Sequence, residues 1–441
     1  MSGRHLRQRR IILQAVYGGQ FHEKRLISVN FVADRHKGGP NGDQRSAAFS
    51  AVGKILGGYE PGFELVAGAD PEAIERFVVL FVRGSPRLLL PPERPIMRSA
   101  IASFLGNHRF ANLVMPFVQV ASRAGGPLSR VSTDVSLTSR GSAASPLREL
   151  ISGVLCRDDF EIALRLSFGR PNAKTVAMAI STSGDALCFA KFGSEAMTDD
   201  LVAHEGAILE RFEGVDMPVI MPRLLYSGTW AGGRNVLITA PLQLVPLKRD
   251  ARDAHRAADI FASRNFVVNS TLSDSAYWRR VVDSATSSGD HGGSRATLLA
   301  SITRIEEVWG DSHLDFGASH GDWARANLGM IEGRIAALDW ERCTELAPRG
   351  IDVAHFALSE GSLSLLGKSL FGRSLYIERA AESVRQYLRS AGLPVGNAEP
   401  LIMLALLEMV IRFRSARTAG LRSADSKFGP ALEAGLRKWT P

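Results

Sequence analysis

Within SHGDWARANLGMIEGRIAALDWE, residues 319–341, three oxygen-bearing side chains stand near one another in the chain. Asp322 is followed by Asn327, and after a turn at Glu332-Gly333-Arg334 a hydrophobic stretch ends in Asp339. Transfer of a phosphoryl group asks a protein to orient an acceptor hydroxyl and to neutralise phosphate charge, chiefly through magnesium ions held by hard oxygen ligands. A carboxylate base, an amide oxygen and a second carboxylate would supply those parts. A hairpin between Asn327 and Asp339 would return the carboxylate beside the amide, so that both could share metal ions.

The motif HGDWARANLG followed by LDWE resembles the catalytic loop and metal motif of the aminoglycoside phosphotransferase and choline kinase family, which shares its fold with protein kinases. The resemblance covers about residues 155 to 415. It implies Asp322 as catalytic base, Asn327 and Asp339 as magnesium ligands, His320 as a support for the loop, and Asp352 in GIDVAHFAL as a structural aspartate. ATP and Mg2+ are the implied cofactors. Such a fold needs a lysine on its third strand to hold nucleotide phosphates and a helix glutamate to orient it. Lys191 and Glu205 stand upstream in that order. The segment ITAPLQL, residues 238–244, is then the implied connection between lobes, with the backbone at Ala240 and Leu242 meeting the adenine. The turn FGRPNAK carries one glycine, so phosphate contact there falls to Gly169, Asn172 or Lys174. Trp323 and Arg325 occupy places where the family often has His or Pro, while Glu341 could face the metals, the acceptor or water.

The elements that must position these residues follow from hydrophobic period. Glu161–Phe168, Thr175–Thr182 and Ala186–Phe192 read as three antiparallel strands joined by short turns, with Lys191 near the end of the third. Asp199–Phe212 places its apolar residues near one helical face and so carries Glu205 on a helix. MPRLLYSG and RNVLITA add two strands, and from about residue 255 the pattern is helical apart from the hairpin at 327–339. Upstream, Phe63–Ala67 and Phe77–Val82 read as strands flanking an acidic helix start at Asp70-Pro71-Glu72, followed by an apolar stretch after Pro95 and a helical or mixed segment at 107–126. The Ser-, Thr- and Gly-rich stretch that follows reads as a linker.

The expected organisation is therefore a small α+β region at 1–125, a linker at 126–150, and a two-lobed α+β protein-kinase-like fold. Its antiparallel-sheet N-lobe would span 151–243 and its mainly helical C-lobe 244–441. Hydrophobic residues at 45% and charged residues at 22% argue for a folded chain rather than a disordered one. The longest apolar runs, such as Pro400–Phe413, are broken by Glu408 and Arg412 and read as buried helices, with no transmembrane segment. The N-terminus makes a poor signal peptide, so a cytoplasmic location is expected. Cys156, Cys188 and Cys343 are too few and too far apart for a disulfide framework or a zinc site and read as buried thiols. The net charge of +8 is scattered apart from Arg4, Arg7, Arg9 and Arg10, so no specific nucleic-acid partner is expected.

Two function classes compete. One is a phosphotransferase acting on a hydroxyl of a small molecule: a sugar, a sugar-containing metabolite, an amino alcohol or an aminoglycoside-like acceptor. The other is a catalytically silent kinase-like module that binds nucleotide or regulates. Silent relatives usually lose the base, the metal aspartate or the lysine, and Asp322, Asp339 and Lys191 are all present. Glu341 and Glu345 are interleaved with Arg342 and Arg349, a mixture that argues against a polycationic antibiotic as acceptor.

Overall fold

A computed structural model describes residues 12–13, 27–28, 52, 55–56, 63–68, 70–82, 85–105, 132–139, 144–166, 174–193, 195–247, 250–264, 267–287, 293–360 and 370–418. The expectations for Arg4, Arg7, Arg9 and Arg10, for segment 107–126, and for Gly169 and Asn172 lie outside these residues. The chain divides into two compact units, one of residues 1–166, 176–189 and 230–233, the other of 167–175, 190–229 and 234–441.

In the first unit β1 (Ile12–Leu13) pairs antiparallel with β2 (Ile27–Ser28). The main sheet there is built from β3 (Phe63–Ala67), β4 (Glu75–Val82), β5 (Ser85–Leu90), β6 (Ser132–Ser139), β7 (Phe160–Arg165) and β8 (Thr175–Ser181). These run in the spatial order β8-β7-β5-β4-β6-β3, every neighbouring pair antiparallel. The join that matters is β5 to β7, with Leu88 opposite Arg165 and Leu89 opposite Leu164. Through it, strands from the N-terminal region extend the same sheet that the three predicted strands begin. Helix α1 (Arg94–Leu105) lays Ile96, Met97, Ala100 and Ile101 against Val78, Leu88, Ala163 and Met178, which closes one core.

Three expectations for this unit are corrected. The segment 126–150 is not merely a linker: it contains β6 and the start of α2 (Pro146–Leu155). Its polar composition conceals a strand because Val135 and Leu137 are buried while Ser136 satisfies itself, its hydroxyl donating to the Gly68 carbonyl at 2.8 Å and accepting from the Asp70 amide at 2.9 Å. Asp70 starts no helix; its side chain accepts from the Glu72 amide at 2.9 Å in a turn, and β4 begins too soon after it for a helical turn to close. Cys156, expected to be buried, is exposed as the left-handed residue that ends α2, with φ of 53°.

Glu75 ties these parts together. Buried on β4, it accepts from the Ser145 hydroxyl at 2.5 Å and from Arg148 Nε at 3.1 Å, and Arg148 Nη1 in turn donates to the Phe160 carbonyl at 2.6 Å. Both donors meet Oε1 while Oε2 is buried without a hydrogen-bond partner, so the charge of Arg148 is what offsets burial of the carboxylate.

Strand β9 (Ala186–Phe192) ends in the second unit, which continues with α3 (Ala196–Arg211), β10 (Leu224–Trp230), β11 (Arg234–Thr239) and β12 (Val245–Pro246). The rest is mainly helical: α4 (Arg252–Arg264), α5 (Ala276–Ser287), α6 (Gly293–Trp309), α7 (Ile351–Glu360), α8 (Leu370–Ala391) and α9 (Ala398–Thr418). The 327–339 hairpin is not the only interruption, because β13 (Val268–Thr271), β14 (His313–Ser319) and β17 (Thr344–Pro348) form a second small sheet. The hairpin itself is β15 (Leu328–Ile331) and β16 (Arg334–Ala337), turning through Glu332 and Gly333, both at positive φ. Leu401 to Leu407 on α9 are all buried, as the apolar run predicts. The antiparallel sheet and the helical lobe are the two parts of the protein-kinase-like fold that the motif implies.

Candidate active site

Lys191 projects from the end of β9, and its ammonium donates to both oxygens of Glu205 on α3 at 2.7 and 2.9 Å. The same nitrogen lies 2.5 Å from Asp339 Oδ1. Burial alone would drive the proton off Lys191, but the charges of Asp339 and Glu205 outweigh it and raise the pKa above the ordinary lysine value. The glutamate is fully buried, whereas the Asp339 side chain keeps 43% of its exposure, open enough for a ligand to reach. Asp339 also adopts a left-handed backbone with φ of 59°, a conformation uncommon outside glycine and tolerated best by Asn and Asp.

The loop after β14 is held by one carboxylate. Asp352, near the start of α7 and 4% exposed, accepts from the Ser319 hydroxyl at 2.8 Å, the His320 amide at 2.8 Å and the Gly321 amide at 2.9 Å. His320 is fully buried between the rings of Trp323 and Trp340. The Asp322 amide donates to His320 Nδ1 at 3.2 Å, which leaves Nε2 as the protonated nitrogen that donates to the Leu338 carbonyl at 2.9 Å. One neutral imidazole thus joins the Asp322 loop to the strand leading into Asp339. Trp323, buried with no exposure, is a packing residue. Arg325 pairs with Glu360 at 2.8 Å and lies over the Phe356 ring.

Asn327 donates its side-chain nitrogen to Asp322 Oδ2 at 2.8 Å and to the Asp322 carbonyl at 3.0 Å. Its backbone carbonyl accepts from the Leu338 amide at 2.8 Å, which brings the residue before Asp339 beside Asn327 as the hairpin argument requires. With the nitrogen turned to Asp322, the amide oxygen is the atom that can serve a cation. Among the described residues no group of three or more His, Cys, Asp or Glu side chains converges on a metal site. Asn327 and Asp339 present one amide and one carboxylate oxygen, hard donors of the type that an ion such as magnesium takes beside phosphates and water.

At the segment between the lobes, the Ala240 amide donates to the Arg223 carbonyl at 2.9 Å, so the edge that Ala240 can offer a ligand is its carbonyl. The Leu242 amide follows two residues on.

Two neighbours of the site were not assigned by motif. Lys174, just before β8 and 8% exposed, ion-pairs with Glu341. Burial, and next the charge of Lys191, lower its pKa to about 8. Sequence narrowed Lys174 to one of three phosphate candidates and left Glu341 open; only folding brings the two together. Arg412 on α9 donates to the Gly321 carbonyl at 2.7 Å and pairs with Glu408 at 2.6 Å. No local signal could have found that contact, since the partners lie 91 residues apart in sequence.

No protein-family model matches the sequence, and no curated protein is a significant match. Solved structures similar to this chain include an ethanolamine kinase from Plasmodium vivax, 14% identical, with 64% of this chain and 82% of that one covered and a TM-score of 0.43. A thermostable mutant of an aminoglycoside phosphotransferase is 13% identical over 64% of this chain and 94% of its own, with a TM-score of 0.43. A choline kinase from Streptococcus pneumoniae is 11% identical over 67% of this chain and 97% of its own, with a TM-score of 0.40.

Proposed function

We propose that the chain is an ATP- and magnesium-dependent phosphotransferase that phosphorylates a hydroxyl group of a small molecule. The observation that carries this reading is the convergence of Glu205 and Asp339 on the Lys191 ammonium, together with the hydrogen bond by which Asn327 holds the Asp322 carboxylate. Phosphoryl transfer needs little covalent chemistry from a protein and depends on placement and charge.

In this reading Lys191, oriented by Glu205, takes the nucleotide phosphates. The Ala240 carbonyl and Leu242 amide meet the adenine edge. Asn327 and Asp339 would hold magnesium, which when bound neutralises charge on the phosphates. Asp322 accepts the proton of the acceptor hydroxyl as its oxygen bonds to the γ-phosphorus. The bond from that phosphorus to the β,γ-bridging oxygen breaks, and ADP departs with the electron pair. His320 and Asp352 keep the Asp322 loop in place without touching the reacting atoms.

The test is thermal shift of the purified protein with ATP, with and without magnesium, on wild type and Asp339→Asn, alongside ADP release with hydroxyl-bearing metabolites. Stabilisation that needs magnesium, weakens in the variant and is joined by acceptor-dependent ADP release is the expected result. Binding without release on any acceptor would favour the silent module, and absence of nucleotide binding would remove both readings.

A further inference from the structure

Arg342 stands just past Asp339 in sequence, and the fold sets its backbone directly against the loop that carries Asp322. Gly321 has φ of +78°, and a Cβ added there would lie 2.3 Å from the Arg342 carbonyl oxygen and 3.1 Å from the Arg342 Cβ. The neighbouring guanidinium of Arg412 is neutralised by Glu408 at 2.6 Å. Arg342 is partly buried, and among the described residues it forms neither a hydrogen bond nor an ion pair. The adjacent Glu341 carboxylate is already committed to Lys174. Burial, followed by the charge of Arg412, lowers the Arg342 pKa to about 10, against the opposing pull of Asp322 and Glu408. Asp322 is thus near enough to act on the guanidinium electrostatically while lying beyond ion-pair distance.

A cation taken partly out of water without a partner is held at a cost that an arriving anion removes. A guanidinium presents a planar fork of donors matched to carboxylate or phosphate oxygens. We propose that Arg342 is the subsite for an anionic group carried by the acceptor, so that the substrate is a small hydroxyl compound bearing a carboxylate or phosphate rather than a polycation. The proposal rests on the phosphotransferase reading for what happens to the hydroxyl; the anion subsite itself rests on Arg342. Placing the anion beside the Asp322 loop puts it within a few bonds of the hydroxyl that Asp322 would deprotonate. An ammonium-rich acceptor would instead meet Arg342 with like charge.

The experiment is calorimetric titration of inorganic phosphate, glycerol 3-phosphate and glycerate, with glycerol as neutral control, into protein saturated with magnesium and a non-hydrolysable ATP analogue. The analogue fills the nucleotide's phosphate positions, so binding there is not scored. At least one anion binds the wild type, binds Arg342→Met at least tenfold more weakly, and is partly restored in Arg342→Lys, which keeps the charge and loses the fork; glycerol binds none of them. Equal binding to wild type and Arg342→Met, or no binding of any anion to wild type, overturns the proposal. So does a fall in ADP release that is equal for neutral and anionic acceptors, because Arg342 would then act on the transferring phosphoryl group. If the analogue fails to bind wild type, the phosphotransferase reading falls by itself, and the same titrations on nucleotide-free protein still decide the anion subsite.

Discussion

The two units of this molecule handle buried charge in opposite ways. In the first, Glu75 is closed off: Ser145 and Arg148 meet it, and the arrangement joins β4, α2 and β7. In the second, the charges of Lys191 and Asp339 meet at a carboxylate still partly open to solvent, and Arg342 has no ion-pair partner among the described residues. A buried ionic cluster closed to solvent holds a fold together, whereas one that is left open towards solvent is placed to receive something.

That contrast can be broken most sharply at Asp322. Asp322→Ala should lower acceptor-dependent ADP release by about 10²- to 10⁴-fold while nucleotide affinity stays near wild type, the range associated with loss of a general base. A comparable loss of nucleotide binding would mean that Asp322 serves the phosphates instead. Lys191→Met comes next: it should weaken ATP binding by about tenfold or more, since a charge-assisted contact is worth about 1.5–3 kcal/mol. Titration calorimetry at fixed magnesium would read it.

Asp352→Ala leaves three donors around residues 319–321 without their acceptor and should destabilise the protein by about 3 kcal/mol, seen as a lower urea midpoint. Glu75→Ala should cost about 2 kcal/mol by the same measurement and leave nucleotide affinity unchanged. If Glu75→Ala abolished ATP binding, the division into a structural and a chemical unit would be wrong.

The smallest effect concerns acid. Burial opposes the charge on Glu408, yet Arg412 and His355 outweigh it and pull its pKa from the ordinary 4.5 to about 2. A carboxyl group depressed in the folded state stabilises above its unfolded pKa, and that contribution is lost as pH falls from about 4.5 towards 2. The loss between pH 5 and 4 should stay under about 1 kcal/mol, and Glu408→Gln should remove that part of the slope in denaturation series.

What could be read from sequence divides along the same line. The nearness of Asp322, Asn327 and the chain before Asp339 was legible because a short loop followed by a tight hairpin must return the chain on itself. The strand carrying Lys191 and the helix carrying Glu205 were legible because their hydrophobic periods differ. The sheet of the first unit was not, because its decisive pairing, Leu88 with Arg165, joins residues far apart in the chain, and register of that kind leaves no local mark. Ser132–Ser139 was concealed further by composition, since a strand whose serines are satisfied by backbone groups looks like a spacer. Arg342 stands one residue past the motif, but its want of a partner among the described residues is a property of the folded lobe alone.

Asp352 holds one more consequence. By accepting from the amides of both His320 and Gly321 as well as the Ser319 hydroxyl, it ties three successive positions of the loop to the first turn of a buried helix. Those two amides should therefore exchange with deuterated solvent only when α7 itself opens, and at the same slow rate whether or not nucleotide is added. The loop's disorder is spent when the chain folds, so that Asp322 is held in position before any ligand arrives.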